Sequence, residues 1–184
     1  ARNAKLYTDF GLLTCDAAIG RDVRTVFQQL TSLGQPGRLK HLLQSPFTLH
    51  ATLLKWIGRE TDRAKKGKPA HIIAKMNALL EPQIIRALYK ASQAGVKIDL
   101  LVRGPCALRP GIAGLSEHIR VRSIIGRFLE HSRIFYFLND GDDRVFLSSA
   151  DWMDRNFFRR IEVAFPVLEK TLRQRVIDEG LRPY

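Results

Sequence analysis

His131 and Arg133 stand two residues apart in "FLEHSRIFYF" (128–137). Histidine exchanges a proton near neutral pH, and its ring nitrogen can attack phosphorus. Arginine adds a permanent charge and a planar fork of donors matched to phosphate oxygens. The stretch reads as a buried strand, in which alternate residues share a face. Leu129, His131 and Arg133 are therefore expected on one side, placing two phosphate-holding groups at a sheet edge. The plainer alternative is a strand-end pair with ordinary surface exposure.

Further candidates lie at the ends of apolar runs. Arg103 closes "VKIDLLVRG" and precedes a loop with Gly104, Pro105, Pro110 and Gly111. Ligands of open α/β sheets bind beyond the carboxyl ends of strands, where this arginine points. Lys75 and Asn77 end "AHIIAKMN" (70–77) and face the same cleft if the two strands are parallel neighbours. Ser148 and Ser149 could bond phosphate oxygens, although capping a turn is the cheaper explanation. In "FFRRIEVAF" (157–165), alternation puts Arg160 and Glu162 on one face, as an ion pair or as an arginine oriented toward an anion. His41, His50, His71 and His118 have no partner spacing and read as structural. No P-loop, kinase glycine loop or Rossmann fingerprint is present, so phosphate handling would fall to Arg, Lys and His side chains.

These residues need a framework. "AKLYTDFGLLTC" (4–15) reads as strand, bend at Gly11, strand, and Asp16 as the N-cap of a helix to about Leu33. The Gly/Pro break at 32–38 predicts a domain boundary: 1–35 as the tail of a preceding domain, 36–184 as the next. Helices are predicted near 49–65, from Pro82 to Gly95, and over 167–181. A helix between the strands at 70–77 and 96–104 makes a βαβ crossover. Residues 131–152 read as a hairpin around "NDGDD", 159–168 as a further strand, and 114–126 as either helix or strand. The sum is an α/β fold, a mixed β-sheet flanked by helices.

Thirty Lys and Arg against 18 Asp and Glu give a formal charge of +12, which favours polyanions: nucleic acid, nucleotides, phosphate polymers or acidic membrane surfaces. A hydrophobic fraction of 45% supplies a core and excludes general disorder. Two distant cysteines, Cys15 and Cys106, read as reduced thiols in a cytoplasmic protein. No apolar run reaches the ~20 residues of a membrane span, which leaves peripheral contact through basic patches open. The start "ARNAKLYTDF", without Met and running at once into strand-like sequence, is expected of a piece of a longer protein.

Four segments, "KLYTDFGLLTCDAAIGRDV" (5–23), "VKIDLLVRGPCALRPG" (96–111), "FLEHSRIFYF" (128–137) and "VFLSSADWMDRNFFRRIEVAFPV" (145–167), together resemble the C-terminal part of the long-form bacterial polyphosphate kinase family, whose catalytic domains are phospholipase-D-like. The resemblance implies reversible transfer of the terminal phosphate of ATP to inorganic polyphosphate. It further implies a phosphohistidine on the first domain, upstream of Ala1, and Mg²⁺ with ligands also upstream, none in this stretch. ATP or ADP and polyphosphate are the implied ligands, with a homo-oligomer in the full-length protein and no specific nucleic acid. His131 matches the family's second histidine, an acid–base or electrostatic helper. Tyr7 matches the residue that stacks on the nucleotide base, and Arg103 an arginine on the nucleotide phosphates. Asp9 and Arg160 match polar residues near the channel.

The phospholipase-D signature H-x-K-x4-D is not kept: Arg133 stands at the Lys position and Leu138 at the Asp position. That weighs against the first rival, a phosphodiesterase or nuclease. The second rival, a basic nucleic-acid-binding module, rests on charge alone, with no recognition-helix or RNP-type motif. A purely structural domain leaves Arg103, His131 and Arg160 unexplained.

Overall fold

A computed structural model of the chain describes residues 5–31 and 37–184. Nine strands and five helices follow in the order β1 (Tyr7–Thr8), α1 (Ala17–Leu30), β2 (Leu43–Ser45), α2 (Leu49–Ala64), β3 (His71–Met76), α3 (Pro82–Gln93), β4 (Lys97–Val102), β5 (Ile119–Arg122), β6 (Leu129–Glu130), β7 (Arg133–Phe137), β8 (Arg144–Ser148), α4 (Asp154–Phe158), β9 (Glu162–Pro166) and α5 (Lys170–Gly180). The main sheet runs β2-β9-β8-β7-β3-β4-β5, and β1 and β6 form a separate two-stranded parallel pair. β3, β4 and β5 are parallel, and every pair from β3 through β7, β8 and β9 to β2 is antiparallel. The mixed α/β sheet flanked by helices is thus the one expected.

Alternation along each strand divides the core in two. On β7, Phe135 and Phe137 face α2 and α3 and join Leu53, Ile57, Ile84 and Leu88, with Trp152 and Trp56 wedged among the rings. Ile134 and Tyr136 point the other way, to Val176 and Ile177 of α5. Lys75 lies on that α5 face, paired in register with Ile134.

Capping sets the helix starts. The side chains of Asp16, Glu81 and Glu169 each accept two first-turn amides of α1, α3 and α5. Asp22, buried in mid-α1, accepts the amides of Lys40, His41 and Leu42 at 2.6–3.0 Å and so ties α1 to the approach to β2. Those bonds and its nearness to His41 outweigh burial and hold its carboxyl below the usual carboxylate value.

Several expectations need correction. No second strand follows Gly11; residues 9–16 find no ladder partner, and Leu13 is 99% exposed. The ambiguous 114–126 resolves as the parallel edge strand β5. "FLEHSRIFYF" is two strands: β6 pairs with β1, β7 joins the main sheet, and His131 sits in the break. β9 begins at Glu162, so Arg160 falls outside it, exposed. β2 and α4 were not predicted; both are too short to show periodicity. The expected boundary at residue 35 and the helix end near Leu33 lie outside the described residues.

Candidate phosphate site

The site lies where β3 and β4 end and β7 begins. Part of it comes from far along the chain: Tyr7 and Thr8 are held by the β1–β6 ladder, in which Tyr7 pairs with Leu129 and Thr8 with Glu130. The His131 amide extends the ladder by donating to the Thr8 carbonyl at 3.1 Å. The His131 ring then meets Tyr7 edge to face, centroids 4.9 Å apart. On its other side, Nδ1 is 2.9 Å from Asp9 Oδ2.

Arg133 is fixed from below. Its Nε and Nη2 donate to the two oxygens of Asp151 at 3.1 and 3.2 Å, and Asp151 Oδ1 also accepts the Asn77 amide at 2.7 Å. Both charged side chains are nearly buried, so the pair is a rigid strut rather than a surface contact. The remaining nitrogen, Nη1, lies 3.4 Å from His131 Nδ1 and 3.2 Å from Nε2. A nitrogen in the ring plane at two such similar distances would overlap the carbon between them. Nη1 therefore sits against the ring face, a cation–π placement.

This arrangement assigns the imidazole. A carboxylate only accepts, so Nδ1 carries the hydrogen toward Asp9. Nε2 has no in-plane partner among the described residues. The residue borders a recess of about 250 Å³ lined by Asp9, His131, Ser132, Arg133, Ser148 and Ser149 among others. Ser148 and Ser149 are already engaged: Ser148 Oγ takes the Ala150 amide and Ser149 Oγ the Val163 amide, the capping role.

Of the predicted residues, the structure gathers Tyr7, Asp9, His131 and Arg133 in one constellation. Arg103 lies next to it, its Nη1 donating to the Glu130 carbonyl at 3.0 Å. Asn77 contributes backbone: its amide to Asp151 and its carbonyl to Gly104, while its side-chain amide is buried without a partner. Lys75 is not at the recess. Its Nζ is buried against Glu130 Oε1 (3.0 Å), the Gly180 carbonyl at the end of α5 (3.1 Å) and the face of Tyr184 (4.5 Å). Glu162 does not pair with Arg160; it accepts from Ser149 Oγ and Asn156 Nδ2.

The sequence reading passed over two groups. Asp151 aims Arg133, and "SSADW" offered only a carboxylate with no visible partner. Glu130 accepts from Lys75, from Ser132 Oγ at 2.8 Å and from Tyr184 OH at 3.3 Å, and so anchors β6. Burial raises the Glu130 carboxyl, but the Ser132 and Lys75 hydrogen bonds and the lysine charge prevail and hold it low. Burial likewise lowers Lys75 against the pull of Glu130. Among the described residues, no group of three or more His, Cys, Asp or Glu converges as a metal site. Nor is any helix of the described residues long and apolar enough to cross a membrane.

The chain is a mixed α/β domain with an imidazole and two guanidinium groups, donors of the kind that suit phosphate oxygens, at its strand ends. The family model of the polyphosphate kinase C-terminal domain 2 matches residues 42–180. The chain belongs to that family. It is 64% identical over 180 residues to a polyphosphate kinase of Burkholderia multivorans, covering 98% of this chain and 26% of the relative. A polyphosphate kinase of Neisseria meningitidis serogroup B is 62% identical over 178 residues, with 97% and 26% covered. The crystal structure of polyphosphate kinase from Porphyromonas gingivalis superposes with a TM-score of 0.87 at 44% identity, over 90% of this chain and 25% of that one. The chain thus spans about a quarter of the length of the curated relatives it matches.

Proposed function

We propose that this chain forms one wall of the phosphotransfer site of a polyphosphate kinase. In the reaction, the bond from the γ-phosphorus to its bridging oxygen breaks and ADP leaves. The phosphoryl group passes to a histidine nitrogen outside this chain and then to the terminal oxygen of inorganic polyphosphate, reversibly. Transfer between phosphates leaves the protein little covalent work, so positioning and charge stabilisation carry the rate.

The observation that carries this reading is the Asp9–His131–Arg133–Asp151 chain, with His131 bordering a recess beside a fixed guanidinium. Nε2 accepts a proton from, or returns it to, a phosphate oxygen, and Asp9 stabilises the imidazolium that results. Arg133 and Arg103 offset charge that develops on the equatorial oxygens. Tyr7, beside the His131 ring, is placed to stack on the base of ATP or ADP. Mg²⁺ belongs, in this reading, to ligands outside this chain. A homo-oligomeric, cytoplasmic enzyme, with peripheral membrane contact as an option for its basic surface, completes the proposal.

The test follows γ-labelled ATP into acid-insoluble polymer with the full-length protein that carries this chain. His131→Ala, once circular dichroism has verified its fold, is expected to lose at least 10²-fold in rate, the usual worth of a positioned acid–base group. Polymer formed at the wild-type rate would make His131 structural. A wild type that makes no polymer but cleaves a phosphodiester would favour the phosphodiesterase alternative.

A further inference from the structure

On the α5 side of the sheet, away from the His131 recess, β4, β5 and α5 enclose a second hollow of about 390 Å³. Arg120 and Arg122 enter it from the edge strand β5, two residues apart and therefore on one face. Lys97 joins them from the start of β4 and Arg182 from just beyond α5. Register brings Arg120 opposite Asp99 and Arg122 opposite Leu101, so the basic groups ring an apolar floor.

The two acids of the hollow are each held by a neighbour that also lines it. Asp99 Oδ2 is 2.8 Å from His71 Nε2 and only loosely shared with Lys97, at 3.7 Å. Asp143 Oδ1 accepts the Tyr136 hydroxyl at 2.9 Å. Arg122 Nη1 donates to the Tyr184 backbone oxygen. Basic side chains on an edge strand also discourage sheet-to-sheet pairing, but that purpose needs no hollow. Arg182 is already paired with Asp178 and Lys97 leans on Asp99, whereas Arg120 and Arg122 have no carboxylate partner among the described residues, and these two neighbouring charges repel each other until an anion enters.

We propose that this hollow is a second phosphate-binding site, for a ligand with two or more linked phosphates, separate from the His131 recess. Arg120 and Arg122 hold adjacent phosphates with charge-assisted bonds, with Lys97 beside them on β4 and the Asp178-paired Arg182 on the α5 wall adding to the positive field. The proposal stands on the hollow alone and requires no turnover. Its failure would leave the phosphotransfer reading intact.

The test is calorimetric titration of the full-length protein carrying this chain with inorganic tripolyphosphate. Two classes of site are expected. The double variant Arg120→Glu, Arg122→Glu alters exposed side chains only and is expected to weaken one class at least tenfold, leaving the other unchanged. Arg103→Ala is expected to weaken the other class. Arg120→Gln with Arg122→Gln repeats the measurement should reversed charges disturb the edge strand. Competition by ATP for the β5 class identifies a nucleotide triphosphate as ligand, and its absence identifies an inorganic chain. Both classes surviving in the β5 variants, or a single wild-type class that Arg103→Ala removes, would overturn the proposal.

Discussion

At the scale of single residues, the site depends on charges that hold other charges still. Asp151 is the clearest case, since its two oxygens take Arg133 and one also takes the Asn77 amide. Asp151→Ala leaves a guanidinium nearly buried and unpaired, and we expect a loss of about 3 kcal/mol in urea unfolding. Adding Arg133→Leu to it should recover part of that loss, because the stranded charge is gone; no recovery would mean that the Asn77 amide is the partner that matters. Residue types made His131, Arg133 and Arg103 legible in the sequence, since few side chains serve phosphate. Asp151 and Glu130 were not legible, because their meaning lies in partners 18 and 55 positions away. Lys75 illustrates the reverse: a lysine at a strand end suggested a ligand, yet the α5 face buries it against a carboxylate and a helix-terminal carbonyl.

At the scale of elements, caps and close approaches set the strand and helix ends that carry the site. Glu81 accepts the Gln83 and Ile84 amides at 3.0 and 2.7 Å and faces His50 Nε2 at 3.1 Å. Burial raises its carboxyl, but the amides and His50 outweigh burial and lower it from the ordinary 4.5. A carboxyl lowered by folding adds stability in full above its unfolded value, and that stability fades as pH falls through the folded one. We therefore expect the urea midpoint to drop below pH 4.5 more steeply in the wild type than in Glu81→Gln; parallel curves would remove Glu81 from the account. Gly104 marks a close approach, where an added Cβ would stand 2.9 Å from the Asn77 carbonyl oxygen. Gly104→Ala should cost about 1–3 kcal/mol by thermal unfolding and, by moving Arg103, weaken nucleotide binding. Long elements such as α2, α3, β3 and β4 were readable from apolar spacing. The break between β6 and β7 was not, because an unbroken apolar run carries no mark of where its hydrogen-bond partner changes.

At the scale of the whole molecule, the main sheet is continuous and the site is stitched to it by very little. Tyr7 and Asp9 reach His131 through a ladder only two residues long, across a separation of 122 positions. Closing so large a loop yields few contacts, so this junction is expected to form after the sheet has assembled and to open without it. Amide hydrogen exchange would show this: the His131 amide should exchange orders of magnitude faster than those of β3 and β7. Equal protection would mean that the junction opens only with global unfolding. The β1–β6 pair is in that sense a latch in time as well as in space. A nascent or partly opened chain can carry a complete, stable sheet and still lack the tyrosine and carboxylate that complete the histidine's surroundings, so folded and competent are separate states of this protein.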